Sequence, residues 1–377
     1  MSNTSPKIAF VYDRVNKIGG AERVLEALHE IWPEAPLYTS VYEKSTAPWA
    51  SKIQVKTSFL QRFGWARKRH EYFAWLMTSV FESFDFSKFD IVISVTSAEA
   101  KAVITHPSTL HICYLLTPTR YLWSHNHFYL KNGFVGKNVV LKIISSYIMS
   151  HMRKTDFIAS KRPDKIVTIS NYISRRLEKY YRRKADAVIY PPVTPLKVAE
   201  DKTPEFIDYY LVVSRLVSYK RIDLAIKACN ELNQKLVIVG EGVEREALEK
   251  LAGDSVSFLG NVSDRRLAHL YKHCSGVLFP TEEDFGIVCV EAQAAGKPVV
   301  AYGKGGATEI IQNHTNGVFF DQQQVKSLVE SIIKLTTLKI NPNINKKNAE
   351  RFSKTNFQKA FRKFVEESWK NHLKTNQ

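Results

Sequence analysis

The amino-acid sequence predicts an α/β protein with two doubly wound parallel sheets in series. Three observations predict it: short apolar runs alternate with helical stretches, the alternation stops at Tyr190-Pro191-Pro192, and it then starts again. Nearly continuous apolar strands belong to parallel sheets that helices cover on both faces. The chain has 377 residues, about twice the commonest domain size, which fits two domains.

The first half opens with a strand over 7–13, a Gly19-Gly20 turn and an amphipathic helix over 21–31. Further strands are predicted at 37–42, 91–96, 111–116, 165–170 and 187–190. Paired prolines stop helices and cannot join a central strand, so the domain boundary is placed there. The second half has predicted strands at 210–214, 236–239, 256–259, 276–280 and 298–302, and residues 348–373 have helical spacing.

The composition is that of a globular, reducing-compartment protein. Apolar residues make up 44% of the chain, and the four cysteines form no C-x-x-C pair, which favours free thiols over a disulfide or zinc framework. The first residues lack the apolar core of a secretory signal. No uncharged apolar run is long enough to span a bilayer.

A formal net charge of +17 indicates an anionic partner or an anionic surface. The stretch over 59–75 interleaves aromatic residues with Arg67, Lys68 and Arg69, as does a helix that lies in an anionic membrane interface. A core helix with a solvated basic face explains the same stretch. A nucleic-acid-binding protein is disfavoured, because the sequence contains no zinc spacing and no RNA-binding strand motif.

Two basic residues follow the first strand of the second half. Arg215 stands just after that strand, and Lys220 stands where the next helix begins. Ligands of open α/β sheets collect at the carboxyl ends of the strands, and a helix start adds the positive end of its dipole. The two cations therefore suit a diphosphate, although a solvated basic loop would have the same residues.

A second loop carries Glu283, and Glu291 follows eight positions later. Eight helical steps would separate them by about 12 Å, beyond the roughly 5–9.5 Å of paired glycosidase carboxylates. A hydrolase pair is therefore disfavoured, and we expect Glu283 to face a sugar ring and Glu291 a ribose. Amides at the start of the helix suit anion binding, those of Phe285, Gly286, Ile287 and Val288. An acidic loop before an ordinary core helix is the alternative.

Two glycine motifs, taken by themselves, give only weak evidence for a ligand site. Gly303-Lys304-Gly305-Gly306 lets the backbone approach a ligand or makes a tight turn. The Gly19-Gly20 segment is not a G-x-G-x-x-G sequence, so the sequence lacks the main evidence for a dinucleotide-dependent enzyme.

In this order along the chain, the motifs resemble those of family-4 glycosyltransferases of the GT-B fold. The motifs are Gly19-Gly20-Ala21-Glu22-Arg23, Ser214-Arg215-Leu216 with Lys220, the pair Glu283 and Glu291 around Phe285-Gly286, and Glu291-Ala292-Gln293-Ala294-Ala295-Gly296-Lys297-Pro298-Val299. The resemblance implies that the first domain, over 1–195, binds the acceptor and that the second, over 205–347, binds the nucleotide sugar. The helical pattern over 348–377 predicts a terminal helix, which we expect to pack across the domain junction.

The resemblance also implies residue roles. Arg215 and Lys220 would neutralise the donor diphosphate, Glu283 would hold the transferred sugar, and Glu291 would bind the ribose. Gly19 and Gly20 would let the backbone of the first domain approach the phosphates of the donor. The family retains the anomeric configuration and needs no cofactor and no obligatory metal, with the nucleotide sugar as co-substrate. The sequence contains no D-x-D motif for a metal-bound donor.

The segment over 111–123 is similar to mannosyltransferases of surface-polysaccharide and lipid-linked glycan assembly. It departs from them at Leu116, where that subgroup has a histidine, which His106, His125 or His127 could replace. The similarity implies transfer of mannose from GDP-mannose to a lipid-linked or polysaccharide acceptor. The basic aromatic stretch over 59–75 and the unpaired cysteines predict a cytoplasmic protein at the inner membrane face, where a polyprenyl-diphosphate-linked or glycan acceptor is expected. An epimerase or phosphorylase of the same fold is the enzymatic alternative.

Overall fold

The computed structural model of the protein describes residues 6–65, 70–124, 139–196 and 205–375. The chain divides into two compact units, Met1–Pro192 with Phe357–Gln377 and Val193–Asn356. The dividing point lies beside the paired prolines. The last part of the chain therefore returns to the first unit after the second unit is complete.

A seven-stranded parallel sheet organises the first unit. Its strands are β1 (Ile8–Tyr12), β2 (Leu37–Thr39), β3 (Val55–Thr57), β4 (Ile91–Thr96), β5 (Leu110–Leu115), β6 (Lys165–Thr168) and β7 (Ala187–Val188), in the spatial order β3-β2-β1-β4-β5-β6-β7. The order reverses between β1 and β4, which makes this pair the switch point of a doubly wound sheet. Every strand predicted for this half is confirmed, and β3 is additional.

The second unit contains a six-stranded parallel sheet. Its strands are β8 (Tyr209–Val213), β9 (Lys235–Val239), β10 (Val256–Gly260), β11 (Gly276–Phe279), β12 (Val299–Tyr302) and β13 (Gly317–Phe320), in the order β10-β9-β8-β11-β12-β13. The switch point here is the pair β8 and β11. The predicted strands are again confirmed, and β13 is additional.

Helices connect the strands of both sheets. In the first unit the described α-helices are Gly20–Ile31, Met77–Glu82, Arg120–Trp123, Val139–Ala159 and Asn171–Tyr181, with 3₁₀ helices at Pro48–Lys52, Phe59–Arg62, His70–Leu76 and Ala100–Ala102. The second unit has Ile222–Glu231, Arg245–Glu249, Asp264–His273, Ile287–Ala294, Ala307–Ile310, Val325–Thr336 and Pro342–Glu350, with a 3₁₀ helix at Ser218–Lys220. A final helix covers Lys354–Thr375.

The terminal segment differs from its prediction as a single helix. One helix ends at Glu350 and the next begins at Lys354. Between them the carbonyl of Phe352 accepts a hydrogen bond from the amide of Val193, at 2.8 Å. This backbone pairing interrupts the helix. Farther along, Phe361 packs in the first unit with its ring 5.5 Å from that of Tyr114.

The basic aromatic stretch over 59–75 is described only in part. Its outer parts form the 3₁₀ helices Phe59–Arg62 and His70–Leu76, and Arg67, Lys68 and Arg69 lie outside the described residues. The side chains of Trp65 and Trp75 are exposed. No helix in the described ranges combines the length and the apolar character needed to cross a bilayer.

Candidate functional site

The candidate site lies in the second unit, at the carboxyl ends of β8, β11 and β12. Because β8 and β11 are neighbours at the switch point, the loops that follow them leave the sheet side by side. The sequence-predicted residues of this unit lie on these loops or on the helix Ile287–Ala294.

The loop after β8 places two cations near the acidic loop. Lys220 ends a short 3₁₀ helix, and its ammonium forms an ion pair with the Glu283 carboxylate. The two side chains are 12% and 17% exposed, so the pair lies in a partly desolvated position that a ligand can still reach. The guanidinium of Arg215 donates to the hydroxyl of Tyr219 at 2.7 Å, which links both cations through one short loop.

The loop after β11 is connected to the same place. The hydroxyl of Thr281 donates to the backbone carbonyl of Tyr219 at 3.4 Å. Gly286 then begins the helix Ile287–Ala294 with a φ of 105°, a left-handed conformation that glycine adopts without a steric penalty. The first amides of a helix have no partner within it, so those of Ile287 and Val288 suit an anionic group. The Phe285 side chain is buried behind them.

Glu291 lies one turn into this helix and is buried. Its Oε2 accepts a hydrogen bond from the hydroxyl of Tyr271, at 3.0 Å. Burial and the neighbouring Glu291 raise the pKa of Tyr271 well above its ordinary value, so the tyrosine remains a donor. A fixed carboxylate of this kind is suited to accept hydrogen bonds from ribose hydroxyls.

Glycines in the loop after β12 pack against the loop that carries Glu283. The amide of Gly306 donates to the carbonyl of Glu283 at 2.8 Å. A Cβ on Gly306 would lie 2.4 Å from the Cα of Phe285, and one on Gly305 would lie 2.5 Å from the Glu283 carbonyl oxygen. The glycine motif therefore serves close packing between two loops, a role that its sequence did not distinguish from a turn or a ligand contact.

Two further glycines, after β9, were not singled out in the sequence. A Cβ on Gly240 would lie 1.9 Å from the carbonyl oxygen of Ser214, and one on Gly242 would lie 2.1 Å from that of Leu216. These contacts fix the backbone on both sides of Arg215. The signal available in the sequence was a pair of glycines just after a buried strand.

Gly19 and Gly20 belong to the first unit. Gly20 begins the helix Gly20–Ile31, and a Cβ on Gly19 would lie 3.0 Å from Oε2 of Glu22. Of the suggested substitutes for the histidine absent at Leu116, His106 is exposed and lies 2.7 Å from the Ser108 hydroxyl. His125 and His127 lie outside the described residues.

A family model supports one interpretation of this site. Residues 196–355 match the model described as "Glycosyl transferases group 1". An uncharacterized glycosyltransferase of Methanocaldococcus jannaschii is 26% identical over 229 residues, which cover 56% of this chain and 64% of that protein. A GDP-mannose-dependent alpha-(1-6)-phosphatidylinositol monomannoside mannosyltransferase of Mycobacterium tuberculosis is 33% identical over 141 residues, 33% of this chain and 37% of that protein. The chain thus spans less than two thirds of the length of these relatives.

Solved structures show the same fold over nearly the whole chain. The Anabaena protein HepE, solved with UDP, has a TM-score of 0.68 at 18% identity and covers 96% of this chain and 100% of its own. Sucrose-phosphate synthase of Thermosynechococcus elongatus has a TM-score of 0.70 at 13% identity, with 96% and 98% covered. At such identities the likeness establishes the fold.

Proposed function

We propose that this chain is a hexosyltransferase. Its residues 196–355 match the glycosyl transferases group 1 model, and its two units have the GT-B fold. It moves a hexosyl group from a nucleotide-diphosphate sugar to a lipid-linked or polysaccharide acceptor. The observation that carries the proposal is the meeting of Lys220 and Glu283 beside Arg215 at one switch point.

The charges of this site suit a donor that carries a diphosphate and a sugar. Arg215 and Lys220 supply positive charge, and the helix start at Ile287 supplies amides. A diphosphate that binds Lys220 replaces the carboxylate of Glu283 as its partner, and Glu283 is then available to the sugar hydroxyls. Glu291, held by Tyr271, binds the ribose.

The same cations stabilise the transition state more than the ground state. As the bond between the sugar C1 and the phosphate oxygen breaks, negative charge grows on the leaving nucleoside diphosphate. Fixed positive groups at that position lower the barrier because they need no reorganisation during the reaction. The acceptor oxygen attacks C1 on the same face, and its proton passes to the departing phosphate oxygen. The configuration at C1 is retained, and no metal is required.

GDP-mannose is the donor we favour. The mycobacterial relative is named for GDP-mannose, whereas HepE was solved with UDP and UDP-glucose, so the base is the property on which the two differ. The relative's match covers 141 residues at 33% identity, a closer likeness in sequence than the 18% of HepE.

We place the enzyme at the inner face of the cytoplasmic membrane. Exposed aromatic side chains flank the basic segment Arg67-Lys68-Arg69, namely Phe59, Phe63, Trp65 and Trp75. At an anionic membrane interface, aromatic rings lie at the depth of the headgroups and basic side chains bind the lipid phosphates. The protein should therefore sediment with anionic liposomes, and a variant with serine at 67, 68 and 69 should sediment less.

Thermal denaturation against a panel of nucleotide sugars tests the function. A ligand that binds only the native state raises the melting temperature, so GDP-mannose should do so more than UDP-glucose. A following assay without acceptor separates the alternatives, because an epimerase would convert the bound sugar and a transferase would give only slow hydrolysis. Stabilisation by none of the nucleotide sugars, or conversion without acceptor, would remove the proposal.

A further inference from the structure

We infer that Arg221 and Gln323 are positioning residues, which fix the distance between the loops of Lys220 and Glu283 and so tune the affinity of the site for a diphosphate. This role rests on the proposed function, because the two residues act through groups assigned to the donor. The contacts themselves lie entirely within the second unit.

Arg221 has a backbone conformation that glycine adopts far more easily. Its φ of 53° and ψ of 37° are left-handed, where the Cβ of an ordinary residue crowds the backbone. The residue lies directly between Lys220 and the helix Ile222–Glu231, so these angles set the direction in which the chain leaves Lys220. Strain at a residue next to a candidate site indicates a local function, and the contacts of the Arg221 side chain show which.

The guanidinium of Arg221 is held by two neighbours. Its Nε and Nη2 donate to the two carboxylate oxygens of Asp223, at 3.1 and 3.3 Å, a paired contact that fixes the plane of the group. The remaining nitrogen, Nη1, donates to Oε1 of Gln323 at 3.4 Å. Because Asp223 offsets the charge of Arg221, the contact with Gln323 acts on geometry and adds no net charge to the site.

Gln323 continues the connection to the neighbouring strand end. It lies after β13, and its Nε2 donates to the carbonyl of Pro280 at 2.9 Å. Pro280 directly follows β11 and stands three residues before Glu283. We call the contacts from Arg221 through Gln323 to Pro280 the loop bridge. It joins the backbone beside Lys220 to the backbone that leads to Glu283.

The loop bridge matters because the contact that it aligns depends on close approach. A charge-assisted hydrogen bond to a phosphate needs a short distance and the correct angle. The Thr281 hydroxyl, at 3.4 Å from the Tyr219 carbonyl, is a second link between the same loops, and a long one. Without the loop bridge we expect the Lys220 ammonium to remain in the site but to lose its alignment with the second phosphate of a nucleoside diphosphate.

Calorimetric titration of the full-length protein with GDP against GMP, and with UDP against UMP, tests this role. For the base that wild type binds, Gln323→Ala should lower the preference for the diphosphate about fivefold, which corresponds to one hydrogen bond, and should leave the affinity for the monophosphate unchanged. Gln322→Ala is the matched control. This exposed glutamine of the same loop makes no side-chain hydrogen bond within the described residues, and its variant should bind like wild type.

Arg221→Gly separates positioning from stability. Glycine keeps the left-handed backbone without its steric cost, so the melting temperature should not fall. The preference for the diphosphate should nevertheless drop about fivefold, because the guanidinium is gone. The double variant of Arg221→Gly with Gln323→Ala should lose no more than either single variant, since both changes break the same bridge.

Three results would overturn the positioning role. They are an undiminished preference for the diphosphate in Gln323→Ala, equal losses of both nucleotides in Arg221→Gly, and losses that multiply in the double variant. If wild type itself lacked a preference for the diphosphate, the proposed function would be refuted and this role with it. The two failures are therefore recognised separately, the first in the variants and the second in wild type.

Discussion

The two units use the same sheet topology but hold their switch-point loops in different ways. In the first unit a buried carboxylate, Asp13, ties the loops after β1 and β4 through side-chain hydrogen bonds. In the second unit glycines let backbone pack directly on backbone, as Gly240 does on Ser214 and Gly306 on Phe285. Asp13 thus holds two loops through one side chain, whereas the glycine contacts hold the loops that carry Arg215 and Glu283. The two units therefore differ in loop construction more than in sheet order.

A buried charge network in the first unit should give the largest effect. Asp156 accepts hydrogen bonds from Lys101 at 2.6 Å, Thr119 at 2.8 Å, and Tyr181 and Trp123 at 2.7 Å. Asp156→Asn leaves the Lys101 ammonium buried without its counter-charge, at a cost of about 3–5 kcal/mol in the free energy of unfolding.

Tryptophan fluorescence during urea unfolding measures this cost, since all 6 tryptophans lie in the first unit. Glu367→Gln is the control, because its ion pair with Lys363 is solvent-exposed and contributes little. Equal stability of Asp156→Asn and Glu367→Gln would show that the network is not what supports the first unit.

Glycine packing in the second unit is broken by Gly306→Ala. The new Cβ would lie 2.4 Å from the Cα of Phe285, so the acidic loop must move, at a cost of about 1–3 kcal/mol. Calorimetry should show weaker binding of GDP or UDP. In Gly303→Ala, in the same loop, the new Cβ would lie 3.4 Å from Oδ1 of Asp321, 3.5 Å from the Phe320 carbonyl oxygen and 3.6 Å from Cβ of Phe319, which are ordinary contacts, so this variant should bind like wild type. Equal binding by both variants would refute the packing role.

The acid sensitivity of the first unit should depend on His111. This residue of β5 is fully buried beside the Ser94 hydroxyl, and desolvation lowers its pKa to about 3. The unfolded chain takes up the proton near pH 6.5 while the native state does not, so stability is present above that pH and is lost as pH falls. Between pH 7 and pH 5 the loss is about 2 kcal/mol.

His111→Gln should remove that part of the pH dependence. Urea unfolding at the two pH values, followed by tryptophan fluorescence, gives the difference for each protein. The same difference in His111→Gln as in wild type would assign the acid sensitivity to other groups.

The smallest effect is expected from the support of Glu291. Tyr271→Phe removes the hydroxyl that holds this carboxylate, and affinity for a nucleoside diphosphate should fall about fivefold. Affinity for the 2′,3′-dideoxy analogue should not change, because that ligand makes no ribose contact to lose. Tyr209→Phe removes an equally buried hydroxyl that bonds the Leu270 carbonyl at 2.8 Å, and it serves as the control. Equal losses for both ligands would exclude a ribose role for Glu291.

The sequence predicted the two parallel sheets and the likeness to glycosyltransferases, and both predictions are confirmed. Both could be made because they depend on local sequence patterns. The sequence also placed Arg215, Lys220 and Glu283 on loops that the sheet topology brings together. It did not predict β3, whose side chains are only partly buried, or β13. It also missed the break after Glu350, beside which the Phe352 carbonyl accepts from the Val193 amide.

Sequence analysis did not find the ion pair between Arg14 and Glu99 in the first unit, for a physical reason. Arg14 and Glu99 are far apart in sequence and become neighbours only because β1 pairs with β4. No spacing of residues along the sequence indicates that these two lie close together in space. The glycines at 305 and 306 are a similar case, since the role of a glycine depends on what lies opposite it in space.

The central claim is that Arg215 and Lys220 bind a diphosphate, which takes the place of Glu283 as the partner of Lys220. Calorimetric titration of GDP against GMP, and of UDP against UMP, tests it most directly in wild type and Lys220→Gln. For at least one base, wild type should prefer the diphosphate by tenfold or more, and Lys220→Gln should lose most of that preference, since one charge-assisted contact to phosphate is worth about 1.5–3 kcal/mol. Equal affinity of wild type for monophosphate and diphosphate, or an unchanged preference in Lys220→Gln, would contradict the account.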